Sequence, residues 1–303
     1  MDGMRNLDLV VAKAWLFAGA HLLNPLWVPR EQRREVRRSV LARSLPWYFR
    51  RNLMNGLSGI PDGPVVRDDA SDKVFTLWFQ GEKQAPELVK ACFRSMRRHF
   101  SQEVIVLDDH SLYDYISLPP VIVDKFKAGK IKPAHFADIC RVDLLYRHGG
   151  YWIDSTCFAT APIPDWIAAE DFFLYLTEKE YGSVYSFCQN CFIRARKGDY
   201  LLAAWREMIL DFWTHQTLRM DYFQHQLMFK ALVQNDSRAK EHFARMPHVG
   251  QDATHVIGAL PLDTPYDPER FARDTAGAFF QKLTYRGADA APEGSVIDYI
   301  KRS

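Results

Sequence analysis

Nowhere in its 303 residues does the chain carry an apolar run long enough to cross a bilayer. The longest uncharged stretch, Ala14 to Pro29, contains His21, Asn24, Pro25 and Pro29. It falls short of the roughly 20 apolar residues that a spanning helix needs. No secretory signal is expected either, because the residues MDGMRN are hardly basic and Lys13 interrupts the apolar run beside them. Cysteine is scarce and odd in number: Cys92, Cys140, Cys157, Cys188 and Cys191. A chain of this size stabilises itself by burial, so a disulfide framework is not expected. Cys188-Gln-Asn-Cys191 lacks a second pair, so two partly buried thiols are a better reading than a zinc or redox centre. A reducing compartment follows. Internal repeats and low-complexity segments are also missing, and 48% apolar with 25% charged residues excludes a disordered or fibrous chain.

Net charge is nearly absent, at +2, yet it is unevenly spread. Eight arginines (Arg30, Arg33, Arg34, Arg37, Arg38, Arg43, Arg50, Arg51) stand against two glutamates (Glu31, Glu35) in one segment. Such a stretch is either a solvated helix face or an attractor of phosphates and acidic lipids. No nucleic-acid recognition module accompanies it, so a nucleic-acid partner is not expected. Leu9, Val10, Val11, Trp15, Leu16 and Phe17 beside this segment suit a membrane surface. The expected location is the cytosol, with peripheral contact on the inner face of the membrane.

What the chain does contain is a change of pattern near residue 70. Residues 1–70 read as a basic helical extension that ends in a loop with Gly59, Pro61, Gly63 and Pro64. Val36, Val40, Leu41 and Leu45 form an apolar stripe there at helical spacing. Residues 71–303 read as the main domain. Lys73 to Phe79 is rich in β-branched and aromatic residues and reads as a buried strand, followed by a helix over 86–100 and a strand over 104–107. Helices over 119–129 and 133–147 precede Gly149-Gly150 and a third strand, Tyr151 to Ile153. Later helices are expected near 199–216 and 221–233, then a loop-rich tail. Alternation of strand and helix predicts an α/β fold with a mostly parallel sheet and helices on both faces. Ligands bind such sheets beyond the carboxyl ends of the strands.

Asp154 ends the third strand, and so falls at that edge. Asp138 and Arg141, three apart on the preceding helix, share a face. A carboxylate at Asp154 can hold a divalent cation and a ribose. Asp138 can accept hydrogen bonds from sugar hydroxyls. Arg141 can fork onto a sugar or phosphate oxygen, or hold Asp138 in place. The plainer readings are an intrahelical ion pair for Asp138 and Arg141, a helix stop at Gly149-Gly150, and a turn cap at Asp154. His225 can be a metal ligand or a core histidine. Lys282 can bind a diphosphate or face solvent.

Asp138-x-x-Arg141 followed by Gly149-Gly150-Tyr-Trp-Ile-Asp154 resembles the core motif of glycosyltransferase family 32 and of the capsular polysaccharide synthesis proteins. A similar motif occurs in the large clostridial toxin glucosyltransferases. Thr76 to Gln80, Val104 to Asp109, Asn190 to Gly198 and Gln281 to Thr284 resemble weaker family blocks, so that the likeness covers about 73–285. The resemblance implies a GT-A-type, Rossmann-like catalytic domain that transfers a sugar, with retention, from a nucleotide sugar. A UDP-sugar is the expected donor. A glycan or lipid-linked glycan of capsule, lipopolysaccharide or exopolysaccharide synthesis is the expected acceptor. Asp138, Arg141 and Asp154 would carry the reaction. Phe75 to Phe79, with Leu77, Trp78 and Phe79 foremost, would line the donor pocket together with Gly150, Trp152, Ile153 and Lys282. Asp154 would be the first acid of the D-x-D motif, with Thr156 at the second acid's position and His225 as a further ligand. A hydroxyl is a weaker ligand for a hard cation than a carboxylate, so Mn2+ or Mg2+ would bind weakly or be dispensable. Two rival classes are a nucleotidyltransferase and a nucleotide-sugar binder that has lost catalysis.

Overall fold

Short apolar strands organise the computed structural model, which describes residues 44–61, 72–177 and 186–303. Most of the basic extension, including Leu9 to Phe17, Arg30 to Arg43 and the stripe at Val36, Val40 and Leu41, lies outside the described residues. Its described part contains a helix, α1, over 44–53. Leu45, Tyr48, Phe49 and Leu53 recur on one face of it and join the same core cluster as the sheet. Arg238 fastens the turn that follows by donating to the carbonyls of Leu57 and Ile60.

Five strands form the central sheet in the order β2-β1-β3-β6-β5. They are β1 (Val74–Leu77), β2 (Val104–Leu107), β3 (Gly150–Ile153), β5 (Phe172–Leu176) and β6 (Cys188–Ala195). β1 pairs in parallel with both β2 and β3, while β6 runs antiparallel to β3 and to β5. Four strands therefore point one way and β6 alone is reversed, a mostly parallel GT-A-like arrangement. A second, two-stranded sheet pairs β4 (Cys157–Ala159) with β7 (Phe280–Lys282).

The helices cover this sheet. α2 (Glu87–His99) and α3 (Pro120–Lys127) follow β1 and β2. α4 (Pro133–His148) starts with proline at its first turn, where a missing N–H costs nothing. It is buried on nearly every side, so its polar residues must be paired internally. Asp143, for example, is fully buried, and its carboxylate accepts from the Ser117 amide, Arg147 and Arg206. α5 (Asp165–Ala169) precedes β5, and α6 (Tyr200–His215), α7 (Gln224–Asn235) and α8 (Ser237–Arg245) follow β6. α9 (Pro268–Thr275) and α10 (Val296–Arg302) flank β7. The tail read as loop-rich thus contains three helices and a strand.

Candidate active site

Gly149 ends α4 at φ +68°, with its amide bonded to the Leu145 carbonyl 2.8 Å away. The chain turns directly into β3, and one helical face is thereby set against the tip of the neighbouring strand. Arg141 is the link between them. Its Nη2 lies 3.2 Å from Asp138 Oδ1 and 3.3 Å from Asp154 Oδ1, and its guanidinium sits over the Trp152 ring at 5.0 Å. Nη1 donates to the Asn190 carbonyl on β6. The Asn190 amide in turn donates to Asp138 Oδ1 at 2.7 Å.

Asp154 is equally well held. Its Oδ1 accepts from the Trp152 indole at 2.9 Å and its Oδ2 from the Lys282 ammonium at 2.7 Å. Lys282 also donates to Thr156 Oγ1 at 2.7 Å. Burial alone would raise the Asp154 pKa, but Lys282 and Arg141 outweigh it and hold the group below the usual carboxylate range. For Lys282, burial favours the neutral amine, and the Asp154 carboxylate more than offsets it, so the ammonium persists.

These groups face a cavity of about 820 Å³ beyond the carboxyl ends of β1 and β3. Leu77, Trp78, Phe79, Asp138, Arg141, Trp152, Asp154, Thr156 and Lys282 all contribute to its wall. A neighbouring cleft of about 1160 Å³ along β1 and β2 shares Phe79, Gln80 and Gln84 with it. Cations outnumber acids in the cavity wall: Lys132, Arg141, Arg219, Lys282 and Arg286 against Asp138 and Asp154. The indole N–H of Trp78 is buried with no hydrogen-bond partner among the described residues.

Phe75, Gly150, Ile153 and His225 are not part of this wall. Phe75 and Ile153 are fully buried in the core. Gly150 opens β3 at the end remote from Asp154, with φ +92°, and a Cβ there would stand 2.4 Å from the Lys73 carbonyl oxygen. Its glycine is required by close strand approach rather than by a ligand. His225 is buried beside Asp138, with Nδ1 3.1 Å from Oδ2.

Three buried groups, His135, Asp138 and His225, bring ligand atoms within 4.8 Å of one another, a spacing that would admit a metal ion. The proton positions oppose it. The Trp213 indole donates to His225 Nε2 at 2.8 Å, so the neutral ring carries its hydrogen on Nδ1, the atom that faces Asp138. The donors at Asp154 and Thr156 would leave a divalent ion to draw most of its oxygen ligands from phosphate and water. One carboxylate and one neutral hydroxyl stand there, and both already bind Lys282.

Sequence reasoning gave no role to Asn190, although it opens one of the quoted blocks, none to His135 or Trp213 beside Asp138 and His225, and none to Tyr222, Gln226 or Tyr285, which line the cavity. Trp213 carries no local signal, because its part depends on packing between α6 and α7. All five cysteines are free and buried, deeper than the partly buried thiols expected for the Cys188 and Cys191 pair.

The sequence profile of a family described as capsular polysaccharide synthesis protein matches residues 33–300. A protein named Glycosyltransferase afumC, from Aspergillus fumigatus (strain CBS 144.89 / FGSC A1163 / CEA10), is 26% identical over 179 residues, covering 54% of this chain. The match spans 46% of that protein, less than half its length. No solved structure matches the chain.

Proposed function

We propose, from the premise that the chain belongs to the capsular polysaccharide synthesis protein family, that it is a glycosyltransferase using a nucleotide-sugar donor. A hexose donated by a nucleoside diphosphate, with UDP the first candidate, would pass to a glycan or lipid-linked glycan. One observation carries the reading. Asp138 and Arg141 from α4, Asp154 from the tip of β3 and the sequence-distant Lys282 meet on the wall of a single cavity of about 820 Å³. That size suits a small-molecule site, and its excess of cations suits a diphosphate.

In this reading the anomeric C–O bond breaks while negative charge gathers on the leaving diphosphate and positive charge on the sugar ring. Lys282 and Arg141 would stabilise the leaving group from fixed positions, without reorganisation during the reaction. Asp138, held ionised, would accept from sugar hydroxyls and orient the ring. The cleft shared at Phe79, Gln80 and Gln84 would take the remainder of the nucleotide. Among the described residues, the carboxylates lining the cavity are Asp138 and Asp154. Both are engaged by cations, so no covalent nucleophile is assigned. Retention, implied by the family likeness, is checked by NMR of the product linkage. The basic extension would bring the enzyme to an anionic membrane surface where a lipid-linked acceptor resides.

A thermal-shift panel of UDP-, GDP-, ADP-, CDP- and dTDP-sugars identifies the donor, and turnover then tests the site. Asp154→Asn removes the charge that Lys282 and Arg141 share, and transfer should fall by about 100-fold or more while the circular dichroism spectrum stays native at low temperature. Near-normal turnover of this variant sinks the assignment. Release of a nucleoside diphosphate with free or transferred sugar supports glycosyl transfer. A nucleoside monophosphate passed to an acceptor supports nucleotidyl transfer, and binding without any hydrolysis supports a binder that has lost catalysis.

A further inference from the structure

Lys282 comes from β7, which is 126 residues beyond Thr156 in the chain. Its placement is nevertheless tightly built. β7 pairs with β4, the strand that directly follows the Asp154-Ser155-Thr156 turn, in the register Cys157 to Lys282. The Leu283 amide donates to the Thr156 carbonyl at 2.8 Å. The fully buried Gln281 locks the other side by donating to the Ala253 carbonyl and accepting from the Ile257 amide. Gly258 passes so close that a Cβ there would lie 2.2 Å from the Lys282 carbonyl oxygen. The ammonium is therefore delivered to its position by backbone contacts on two sides.

That position lies between the two side chains of the D-x-T turn. The oxygens that would face a cation, Asp154 Oδ2 and Thr156 Oγ1, both stand 2.7 Å from Lys282 Nζ. An ammonium has three N–H donors. Two serve this turn, and a third is left on the cavity wall. A neutral threonine at the second position suits a hydrogen-bond donor of single charge. A second carboxylate would suit a divalent ion instead.

We infer that the Lys282 ammonium is the resident counter-cation of the donor diphosphate, joining Asp154 to Thr156 and donating its remaining N–H to a phosphate oxygen, so that donor binding requires no divalent metal. The inference rests on the nucleotide-sugar reading above and adds to it that Lys282 occupies the place a divalent ion would otherwise take. Threonine in the motif is then a matched partner of Lys282.

Calorimetry on the full chain tests it, with the nucleoside diphosphates UDP, GDP, ADP, CDP and dTDP titrated in excess chelator and again in millimolar Mn2+. The expected result is the same affinity for the preferred diphosphate in both buffers. Lys282→Ala should weaken it about tenfold or more in chelator, the usual effect of losing one charge-assisted hydrogen bond. Lys282→Arg, which keeps the charge, should lose less. The double variant Lys282→Ala with Thr156→Asp restores two carboxylates, and should acquire Mn2+ binding visible by electron paramagnetic resonance together with Mn2+-dependent diphosphate affinity. Wild-type binding that vanishes in chelator and returns with Mn2+ overturns the role of Lys282 and leaves the glycosyltransferase reading intact. So does unchanged affinity of a folded Lys282→Ala variant. No binding of any diphosphate in either buffer overturns that reading, and this inference with it.

Discussion

A carboxylate buried as deeply as Asp138 would ordinarily keep its proton. Desolvation pushes its pKa upward, but Arg141 and the imidazoles of His135 and His225 outweigh that and hold it well below the usual carboxylate range. Trp213 sets the tautomer of one of these imidazoles, because an indole can only donate. His225 itself is driven toward the neutral form, first by burial and against the pull of Asp138. Its folded pKa thus lies below the ordinary value, and the sign of the pH effect follows. As pH falls below about 6.5, the unfolded chain takes up a proton that the folded chain refuses, so stability is lost on the acid side. Urea unfolding at a series of pH values between roughly 8 and 5 should show this decline. His225→Asn, which keeps a donor near the Nδ1 position, should be less stable throughout but show a shallower acid limb. An unchanged limb would mean that His225 is already charged in the native state. The lowered Asp138 and Asp154 act in the same direction at lower pH, below about 4, where protonation of the unfolded carboxylates begins.

At the scale of elements, the junction between α4 and β3 decides whether these residues meet. Gly149 and Gly150 both have positive φ and both lie against backbone, but a Cβ would stand 3.0 Å from the Lys197 nitrogen at Gly149 and only 2.4 Å from the Lys73 carbonyl oxygen at Gly150. Gly150→Ala combines left-handed backbone strain with a collision against the Lys73 carbonyl, and should destabilise the fold by about 2 kcal/mol or more. Because Gly150 lies away from the cavity, the folded variant should bind the preferred diphosphate normally at low temperature. A selective loss of affinity without loss of stability would return Gly150 to the donor site. The same junction shows how far the sequence could be read. Proline at the first turn of α4, the glycine stop and the aromatic, β-branched run of β3 are local signals, and the predicted boundaries lie within a residue or two of those observed. β1 and β2, with their strand-like composition, were equally legible. β4 and β7 have three residues each, and their pairing depends on a contact between distant parts of the chain. No local pattern announces such a pair, so Lys282 was identified only as a candidate and its bond to Asp154 was not foreseen. Leu174 and Leu176 flank an irregular register on β5, and neither that strand nor β6 was read from the sequence, although Phe172 to Leu176 is as rich in apolar strand formers as β1.

Over the whole molecule, positive charge gathers not only at the cavity but also on the helix that carries the last part of the basic segment. On α1, Leu45, Tyr48, Phe49 and Leu53 face the core. Trp47, Arg50 and Arg51 fall on the opposite side, where Trp47 is 61% exposed and Arg51 stacks over its ring. Among the described residues no helix is long and apolar enough to cross a membrane, and the contact proposed for α1 is a peripheral one. An interfacial tryptophan among arginines suits that contact, since each basic residue near an anionic surface contributes about 1 kcal/mol. The full chain should float with vesicles containing phosphatidylglycerol at low ionic strength, and release as salt shortens the Debye length. Trp47→Ala with Arg50→Glu and Arg51→Glu should weaken flotation strongly. Turnover on a water-soluble acceptor should not change, because these residues lie outside the cavity wall, whereas turnover on an acceptor embedded in the same vesicles should fall. Equal flotation of this triple variant would remove α1 from the membrane contact. Failure of the wild type to float on anionic vesicles at any salt would remove the contact itself, and the acceptor would then have to reach the cavity from solution.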